Sequence, residues 1–209
     1  MSFYENIGKQ FFSVLQTIPQ IKSQYPEIEL RFGKVKQKGN FISHIDKDYF
    51  FKILNIFQQG SNWYYKQYSE SDDYFRKNIR ITKYKCSENK IECIRKIKLG
   101  SSDLHNDIDD QLDIRMSICT ETPCDIPDDI DISMPLDSQN FDTIRLKKRH
   151  SFVYKNIWRY DFTIVNDEIY EIEIELIDPI NTLKVYKESY LTDSLILKIQ
   201  DVMKNGYNK

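Results

Sequence analysis

Three segments of the chain carry apolar residues at the spacing of an amphipathic helix. They lie at about 3–18, 46–59 and 193–205, and in each one apolar side chains recur every three or four residues. Asp46 and Thr192 stand directly before the second and third segments and are residues typical of a helix N-cap. The pattern therefore predicts one helix near each end of the chain and one between them.

Between these helices the apolar residues recur at every second position, which is the period of a β-strand with one buried face. The alternation predicts strands at about 27–36, 63–69, 73–85, 91–99, 112–121, 144–154, 157–165 and 168–177. Two acidic stretches with Ser or Pro, 100–111 and 122–140, are predicted to be loops. No repeat or change of composition marks a boundary, so we expect one domain over 1–209, of the mainly β (α+β) class.

The polar face of these strands is ionic. Glu27 and Glu29 share a face in one strand, and Glu171, Glu173 and Glu175 share a face in another. The remaining strands carry cations on their polar faces: Arg80, Lys96, Lys98, Arg115, Arg145, Lys147, Arg149 and Arg159. A solvated outer face is the ordinary explanation for one such strand, but the segregation of acidic from basic strands favours a shared binding site.

A closed barrel with its ionic faces inward would bring these charges together. Carboxylates on neighbouring strands offer the oxygen ligands that Mg²⁺ or Mn²⁺ takes, and a barrel of about eight strands has room for one small ligand. A polyphosphate is the ligand that uses both a divalent cation and Arg or Lys side chains. The apolar faces would then point outward, so we expect the helices and loops to cover them.

The composition narrows the possible classes of protein. A chain with 40% hydrophobic residues, 12 Phe and 14 Tyr is expected to fold, and its net charge of −2 requires any polyanion site to be local. The four cysteines lack the spacing of a zinc site and are expected to be reduced. No phosphate-binding glycine motif is present. Without a signal segment or a long apolar run, we expect a protein that is cytoplasmic or nuclear and not secreted.

The paired acidic strands resemble those of a known family. ExExRFG at 27–33 and ExExE at 171–175, with RxKxR at 145–149 and RxDxT at 159–163, follow the order and spacing of the triphosphate tunnel metalloenzymes. Within that family the chain is most similar to the RNA 5′-triphosphatases of mRNA capping, in particular the N-terminal triphosphatase module of mimivirus-like viral capping enzymes. The resemblance covers about 27–177.

This resemblance implies a fold and an activity. The fold would be a closed eight-stranded antiparallel β-barrel, a tunnel open at both ends with a polar lumen and helices packed outside. The activity would be hydrolysis of the γ-phosphate of 5′-triphosphate RNA ends without readout of RNA sequence, with Mg²⁺ or Mn²⁺ as cofactor and NTP hydrolysis as a side activity. Such a module is joined to guanylyltransferase and methyltransferase domains in a longer polypeptide, and it would act in the cytoplasm, in a viral factory or virion if the source is viral.

The resemblance also implies roles for individual residues. The metal ligands would be Glu27, Glu29 and Glu175. The catalytic residues would be Glu121, Glu171, Glu173 and Asp161. The phosphate-binding residues would be Arg31, Lys147, Arg149 and Arg159 from the matching motifs, and Arg80, Lys96, Lys98 and Arg115 from strand alternation. Among them Glu121 would orient the attacking water, and Asp161 would hold the neighbouring cations in place.

Two other functions are compatible with the same pattern. A different tunnel enzyme, acting on inorganic tripolyphosphate, thiamine triphosphate or ATP as a cyclase, would share the acidic strands, although the smaller members usually carry ExExK where Arg31 follows here. A non-catalytic β-rich binding module would leave its charged faces solvated and would not respond to Mn²⁺. Four aromatic residues, Trp63, Tyr64, Tyr65 and Tyr68, are suited either to the core or rim of the fold or to stacking on bases.

Overall fold

The computed structural model describes residues 2–21, 25–36, 39–85, 90–107 and 111–207. The helices are α1 (Phe3–Thr17), α2 (Lys47–Gln59), α3 (Pro179–Val185) and α4 (Glu188–Tyr207). The strands are β1 (Pro26–Val35), β2 (Phe41–Ile42), β3 (Tyr65–Arg76), β4 (Ile79–Tyr84), β5 (Ile91–Leu104), β6 (Asp113–Pro123), β7 (Thr143–Tyr154), β8 (Trp158–Val165) and β9 (Ile169–Leu176). Cys86 and positions 108–110 of the predicted loop lie outside the described residues.

Eight antiparallel strands form a closed barrel. The order around it is β1, β6, β5, β4, β3, β7, β8 and β9, and β9 pairs with β1 to complete the circle. This closing seam runs from the pair Ile28 and Leu176 to the pair Arg31 and Glu173. The short β2 pairs with the last residues of β1. The predicted closed β-barrel with helices outside is confirmed.

Helices α1, α2 and α4 cover the outward apolar faces of β1, β8 and β9. The first helix begins at a capping box, in which Ser2 and Glu5 exchange side chain to backbone hydrogen bonds. Phe11 of this helix is fully buried against Trp158 of β8, with ring centroids 5.9 Å apart. Phe57 of α2 packs in the same way on Tyr160, at 4.8 Å. Each fully buried large side chain contributes about 1.5–3 kcal/mol to stability, so this side of the barrel holds the main core.

A smaller apolar cluster covers the barrel outside β3 and β4. Tyr74 and Ile81 pack there against Ile130 and Leu136 from the segment between β6 and β7. The Tyr74 hydroxyl also donates a hydrogen bond to Asp137, at 2.8 Å. Most of the loop predicted at 122–140 therefore covers an apolar face of the barrel. Such a cover is needed because the ionic faces of the strands point inward and their apolar faces point outward.

The turn between β3 and β4 is not where the alternation predicted it. We expected strands at 63–69 and 73–85, whereas β3 continues to Arg76 and the chain turns at Lys77 and Asn78. Lys77 has a φ of 53°, the left-handed backbone that a two-residue hairpin turn uses. No glycine marks this turn, so the alternation of apolar and polar residues alone placed the end of the first of these strands too early.

The prediction of a loop from position 100 was wrong for its first residues. Gly100 and Ser101 belong to β5 and pair with Ile118 and Ser117 of β6, after a register shift next to Lys98. Glycine and serine disfavour strands as isolated residues, but pairing with a neighbouring strand overrides that preference.

The chain after β9 forms two helices where one was predicted. Asp178 caps α3 by accepting a hydrogen bond from the backbone N of Asn181, and Pro179 is the first residue of that helix. Both are signals of a helix start. The second helix, α4, begins at Glu188, earlier than the expected start at 193. None of the helices in the described part of the chain has the length and apolar character needed to cross a membrane.

Candidate functional site

The alternation along β1 directs its charged side chains into the barrel. Ile28 and Leu30 are fully buried in the outer core, so Glu27, Glu29 and Arg31 point to the lumen. In β9, Ile172 and Ile174 likewise belong to the outer core, which directs the glutamates inward. The inward direction of the ionic faces is therefore a consequence of packing the helices on the outside.

The acidic faces of β1 and β9 meet at the closing seam. Glu29 is the register partner of Glu175, and Glu27 lies on the same face of β1. Burial raises the pKa of Glu27 to about 7, and the Glu29 carboxylate adds to this effect. Burial also raises the pKa of Glu175 to about 8, against the opposing influence of Arg159. In the acidic seam (Glu27, Glu29 and Glu175), burial and the closeness of the carboxylates therefore disfavour the charged forms of Glu27 and Glu175.

Lys96 of β5 reaches across the lumen to this seam. Its Nζ lies 2.5 Å from Glu27 Oε2 and 3.0 Å from Glu121 Oε1, with Glu29 at 3.9 Å. Burial opposes the charge of Lys96, but the carboxylates of Glu29 and Glu27 outweigh it and raise the pKa of this lysine. Arg80 of β4 lies 3.2 Å from the other oxygen of Glu121. Four strands therefore contribute to one connected cluster.

Asp161 of β8 is buried and joins two arginines. Its Oδ2 lies 3.2 Å from Arg149 Nη1 and 3.1 Å from Arg159 Nε, while Ser151 donates a hydrogen bond to its Oδ1. Arg159 also pairs with Glu175 on β9. These are the contacts of a residue that positions cations, which is the role expected for Asp161.

Arg31 and Glu173 form an ion pair deeper along the seam. Arg31 Nε lies 2.7 Å from Glu173, and its Nη2 lies 3.0 Å from Glu29. Burial disfavours the charged form of Glu173, but Arg31 and Arg149 outweigh it and hold the pKa of that carboxyl below its usual range. Glu173 is therefore ionised and already paired with cations.

Glu171 lies at the end of the barrel where β9 begins. It pairs with Arg145 of β7 and accepts a hydrogen bond of 2.7 Å from Ser43. Ser43 follows β2, so this short strand, which the sequence did not predict, places a hydroxyl against the acidic wall. The two cavities described next are lined by neither Glu171 nor Arg145.

A cavity of about 310 Å³ opens at the end of the barrel where β3 begins. Arg80, Lys147, Arg149 and Arg159 form its basic wall. Lys147 lies 2.5 Å from Asp73, and burial together with the nearby Arg149 lowers the pKa of Lys147 to about 8. The Nε atom of Arg80 is buried without a hydrogen-bond partner among the described residues. An unsatisfied buried donor costs about 1–3 kcal/mol, so an anionic ligand would stabilise this wall.

A second cavity, of about 500 Å³, adjoins the first and shares Glu121 and Arg159 with it. Glu27 and Glu175 line it, together with Asp178 at the start of α3. The acidic seam and the basic wall therefore open at the same end of the barrel. A chain of phosphates placed there would contact both.

Four of the predicted phosphate-binding residues line neither cavity, namely Arg31, Lys96, Lys98 and Arg115. Arg31 and Lys96 are ion-paired with glutamates of the acidic wall, whereas Arg115 and Lys98 lie away from it. Arg115 Nε is 2.6 Å from Asp103, and its guanidinium lies over the ring of Phe41. Lys98 is exposed beside the register shift in β5 and has no ion pair within the part of the chain that the structure describes. Alternation alone therefore does not bring a charged side chain into the site.

Several residues that line the first cavity were not predicted as site residues, among them Asp73, Thr82 and Ser151. Asp73 holds Lys147, and Ser151 holds Asp161. A signal was present in the same-face series Ser69, Ser71 and Asp73, but the misplaced turn between β3 and β4 obscured it.

The acidic seam has the donor chemistry of a site for a hard divalent cation. Carboxylate oxygens are the ligands that such cations take, and two of these three glutamates have a raised pKa, which a cation would reverse. Across the described residues, no group of three or more His, Cys, Asp or Glu side chains is arranged as a metal site. The seam carboxylates are turned instead to Lys96, Arg31 and Arg159. The donor chemistry of the seam glutamates fits a divalent cation. To bind one, these glutamates must give up their present ion pairs with Lys96, Arg31 and Arg159.

Comparisons with known proteins agree on one family and one fold. A sequence profile of the family described as "mRNA capping enzyme, beta chain" matches residues 34–195. No curated protein sequence matches the chain. The S. pombe Pct1 RNA triphosphatase in complex with the Spt5 CTD is similar in structure, with a TM-score of 0.76 and 17% identity over 97% of this chain and 93% of that one.

Two further solved structures share the fold. Another structure of S. pombe Pct1 has a TM-score of 0.68 and 20% identity, over 95% of this chain and 90% of that one. The Mimivirus capping enzyme triphosphatase has a TM-score of 0.52 and 18% identity, over 93% and 98% of the two chains. At such low identity the structural similarity establishes the barrel fold.

Proposed function

We propose, because this chain belongs to the family of the mRNA capping enzyme beta chain, that its lumen removes the γ-phosphate from the 5′-triphosphate end of RNA. Membership of this family makes the chain a hydrolase of the RNA triphosphatase class, acting on 5′-triphosphate RNA. One observation carries the finer proposal: the acidic seam and the basic wall open at the same end of the barrel, into two adjoining cavities that share Glu121 and Arg159.

The basic wall would hold the phosphate chain. Arg149 and Arg159 can each donate two parallel hydrogen bonds to phosphate oxygens, and Asp161 keeps both in place. Lys147 adds a charge at the inner part of the wall. Phosphoryl transfer depends mainly on such positioning and on stabilisation of charge.

Glu121 is placed to orient the attacking water. Burial opposes its ionisation, but Arg80 and Lys96 hold the pKa of Glu121 below its usual value, so the carboxylate accepts hydrogen bonds. The water oxygen bonds to the γ-phosphorus while the bond from that phosphorus to the β–γ bridging oxygen breaks. The products are an RNA 5′-diphosphate and dihydrogen phosphate, which carries the oxygen and both protons of the water and then ionises to the solvent.

Mg²⁺ or Mn²⁺ is the proposed cofactor, with Glu27, Glu29 and Glu175 as its ligands. When bound, the cation supplies Lewis-acid polarisation of the phosphoryl oxygens. The raised pKa values of Glu27 and Glu175 support this assignment, because burial and the neighbouring carboxylates disfavour their charged forms and a bound cation would favour them.

The lining of the cavities also bears on the range of substrates. The basic and acidic groups address phosphates, which supports hydrolysis of NTPs as a side activity and RNA binding without sequence readout. The resemblance to capping modules supports two further proposals: the domain acts in the cytoplasm, and it is joined to guanylyltransferase and methyltransferase domains.

The test is release of inorganic phosphate from RNA labelled at its γ-phosphate, with Mg²⁺, with Mn²⁺ and with a chelator. ATP and inorganic tripolyphosphate are assayed in parallel. We expect release from RNA that depends on the metal. Preference for tripolyphosphate would instead place the activity in another branch of the tunnel enzymes, and a folded protein that acts on none of the substrates would contradict the proposal.

A further inference from the structure

Tyr65 is an exposed aromatic side chain at the mouth of the phosphate-binding cavity. It is the first residue of β3 and lines the cavity of about 310 Å³ together with the basic wall. With 43% of its surface exposed, it contributes little to the core. None of the contacts proposed for hydrolysis uses this ring, so its position at the mouth calls for another explanation.

The other aromatic residues of this region do not face the cavity. Trp63 belongs to the core, since its Nε1 donates to the Phe57 backbone oxygen at 2.8 Å and the two rings stack at 5.0 Å. Tyr64 precedes β3 and does not line the cavity. Tyr68 lies on the outer face of β3, because successive side chains of a strand alternate between its faces. Of the four aromatic residues identified in the sequence, Tyr65 is therefore the one directed into the lumen.

A second tyrosine, Tyr84, lines the cavity but is already engaged. Its hydroxyl donates to Glu92 at 2.8 Å, and the ammonium of Lys90 lies over its ring, 4.5 Å from the centroid. The face of the Tyr84 ring is thus covered by a cation, whereas the Tyr65 ring makes a T-shaped contact with its neighbour Tyr64, with ring centroids 6.0 Å apart.

We propose that Tyr65 stacks on the base of the first RNA nucleotide. This inference rests on the proposed function, in which the triphosphate lies along the basic wall. Arg149 is in register with Ser69, and the four residues from there to Tyr65 span about 14 Å of extended strand. On β3 and β7 the uncharged Gln67 and Ser151 line the cavity between them. Arg159 of β8 lies at the level of Tyr65, because both are register partners of Val153, so the basic wall extends to the ring.

The cavity volume agrees with a base at the mouth. A space of about 310 Å³ is at the lower limit of the roughly 300–1,000 Å³ that enclose a drug-sized ligand. With the triphosphate held along the basic wall, the nucleoside would extend toward Tyr65. Stacking on an aromatic ring tolerates every base, which agrees with an enzyme that acts on the RNA end and does not read its sequence.

The experiment compares Tyr65→Ala with Tyr65→Phe and with the matched control Tyr68→Ala, a tyrosine of the same strand with similar exposure but on the outer face. Two quantities are measured: KM for triphosphate-ended RNA, and the inhibition constant of inorganic tripolyphosphate, which has no base. We expect Tyr65→Ala to raise the ratio of KM to this constant about tenfold, equivalent to about 1.4 kcal/mol and typical of one stacked base. Tyr65→Phe retains the wild-type ratio because it keeps the ring.

Each result has a defined meaning. Three results would overturn the stacking proposal while leaving the hydrolysis of RNA established. They are an unchanged ratio in Tyr65→Ala, a ratio that rises as much in Tyr65→Phe as in Tyr65→Ala, and a ratio that rises as much in Tyr68→Ala. A wild-type protein that releases no phosphate from RNA would overturn the proposed function, and the stacking proposal with it. Melting temperatures of all variants show whether a change of KM reflects loss of the fold.

Discussion

Glu29 of β1 and Glu175 of β9 are register partners at the seam that closes the barrel. Like charges placed directly opposite each other destabilise a sheet. Arg159 pairs with Glu175, yet burial and the neighbouring carboxylates still raise the pKa of Glu175 to about 8. Stability alone does not explain this pair, whereas the proposed binding of a divalent cation would.

Glu29→Ala and Glu175→Ala are each expected to lower turnover by more than about 100-fold, because loss of an outer-shell partner alone typically costs 10–100-fold in metal affinity or activity. The fold should remain, since both side chains face the lumen. Phosphate release with Mn²⁺ and the melting temperature with and without Mn²⁺ are the measurements. Glu168→Ala, in the exposed turn between β8 and β9, is the control. Turnover near the wild-type value in either lumen variant would show that the ligand assignment is wrong.

Glu121→Gln is expected to lower kcat by about 10²–10⁴-fold with a smaller effect on KM. The amide keeps the size of the side chain but accepts fewer hydrogen bonds from water, and general-base or water-orienting groups contribute on this scale. Glu92→Gln is the matched control, because Glu92 also lies on a strand near the mouth but is turned to Tyr84 and Lys90. If the two variants lose activity equally, Glu121 has no specific role in hydrolysis.

The pH dependence of kcat/KM is expected to report Lys147. Burial lowers the pKa of Lys147 from about 10.5 to about 8, and the adjacent Arg149 and Arg145 add to this effect while Asp73 opposes it. The lysine of the free enzyme therefore loses its charge as pH rises through about 8, and kcat/KM for RNA falls with it. Lys147→Arg keeps its charge over this range, so the fall should move to higher pH. A fall at the same pH in both proteins would assign the ionisation to another group.

The same ionisation affects stability with the opposite sign. Because the folded protein binds this proton less tightly than the unfolded chain, Lys147 lowers the free energy of unfolding below pH 8. That loss is recovered as pH rises from about 8 toward 10.5. Denaturant unfolding of the wild type and of a Lys147→Met variant across this range measures the difference.

Gly33→Ala is expected to destabilise the protein by about 1–3 kcal/mol, the usual cost of inserting a methyl group into packed surroundings. A Cβ atom at this position would lie 2.0 Å from the backbone oxygen of Ile42 and 2.8 Å from the ring of Phe41. Gly100→Ala is the control, because its Cβ would meet Ile118 at an ordinary 3.5 Å. Thermal unfolding of both variants is the measurement, and equal melting temperatures would show that β2 moves away from β1 without cost.

Period-two alternation was sufficient to predict which charges share a face. Glu27 and Glu29 point inward with Arg31 because the intervening residues belong to the core, and no detail of the barrel is needed for that inference. The closure of the barrel was also predictable, because acidic and basic strands can form one binding site only when their ionic faces line the same lumen.

The contacts between distant strands could not be predicted in the same way. Lys96 reaches Glu27 and Glu121 because of the relative shift of β5, β6 and β1 around the barrel, and a single strand carries no information about that shift. Lys98 shares the alternation of Lys96 but lies beside a register shift and is exposed. Asp73 was missed because the turn at Lys77 depends on a left-handed backbone without glycine.

The seam also has a consequence for the folding kinetics of the protein. Pairing β1 with β9 closes a loop over most of the chain, and contacts between residues so far apart in sequence slow folding. Until that pairing forms, β1 and β9 each expose an edge that can join another chain. The same two strands, β1 and β9, supply the carboxylates of the acidic seam and the last open edges of the sheet. A chain in which they have not paired is therefore both inactive and prone to aggregate.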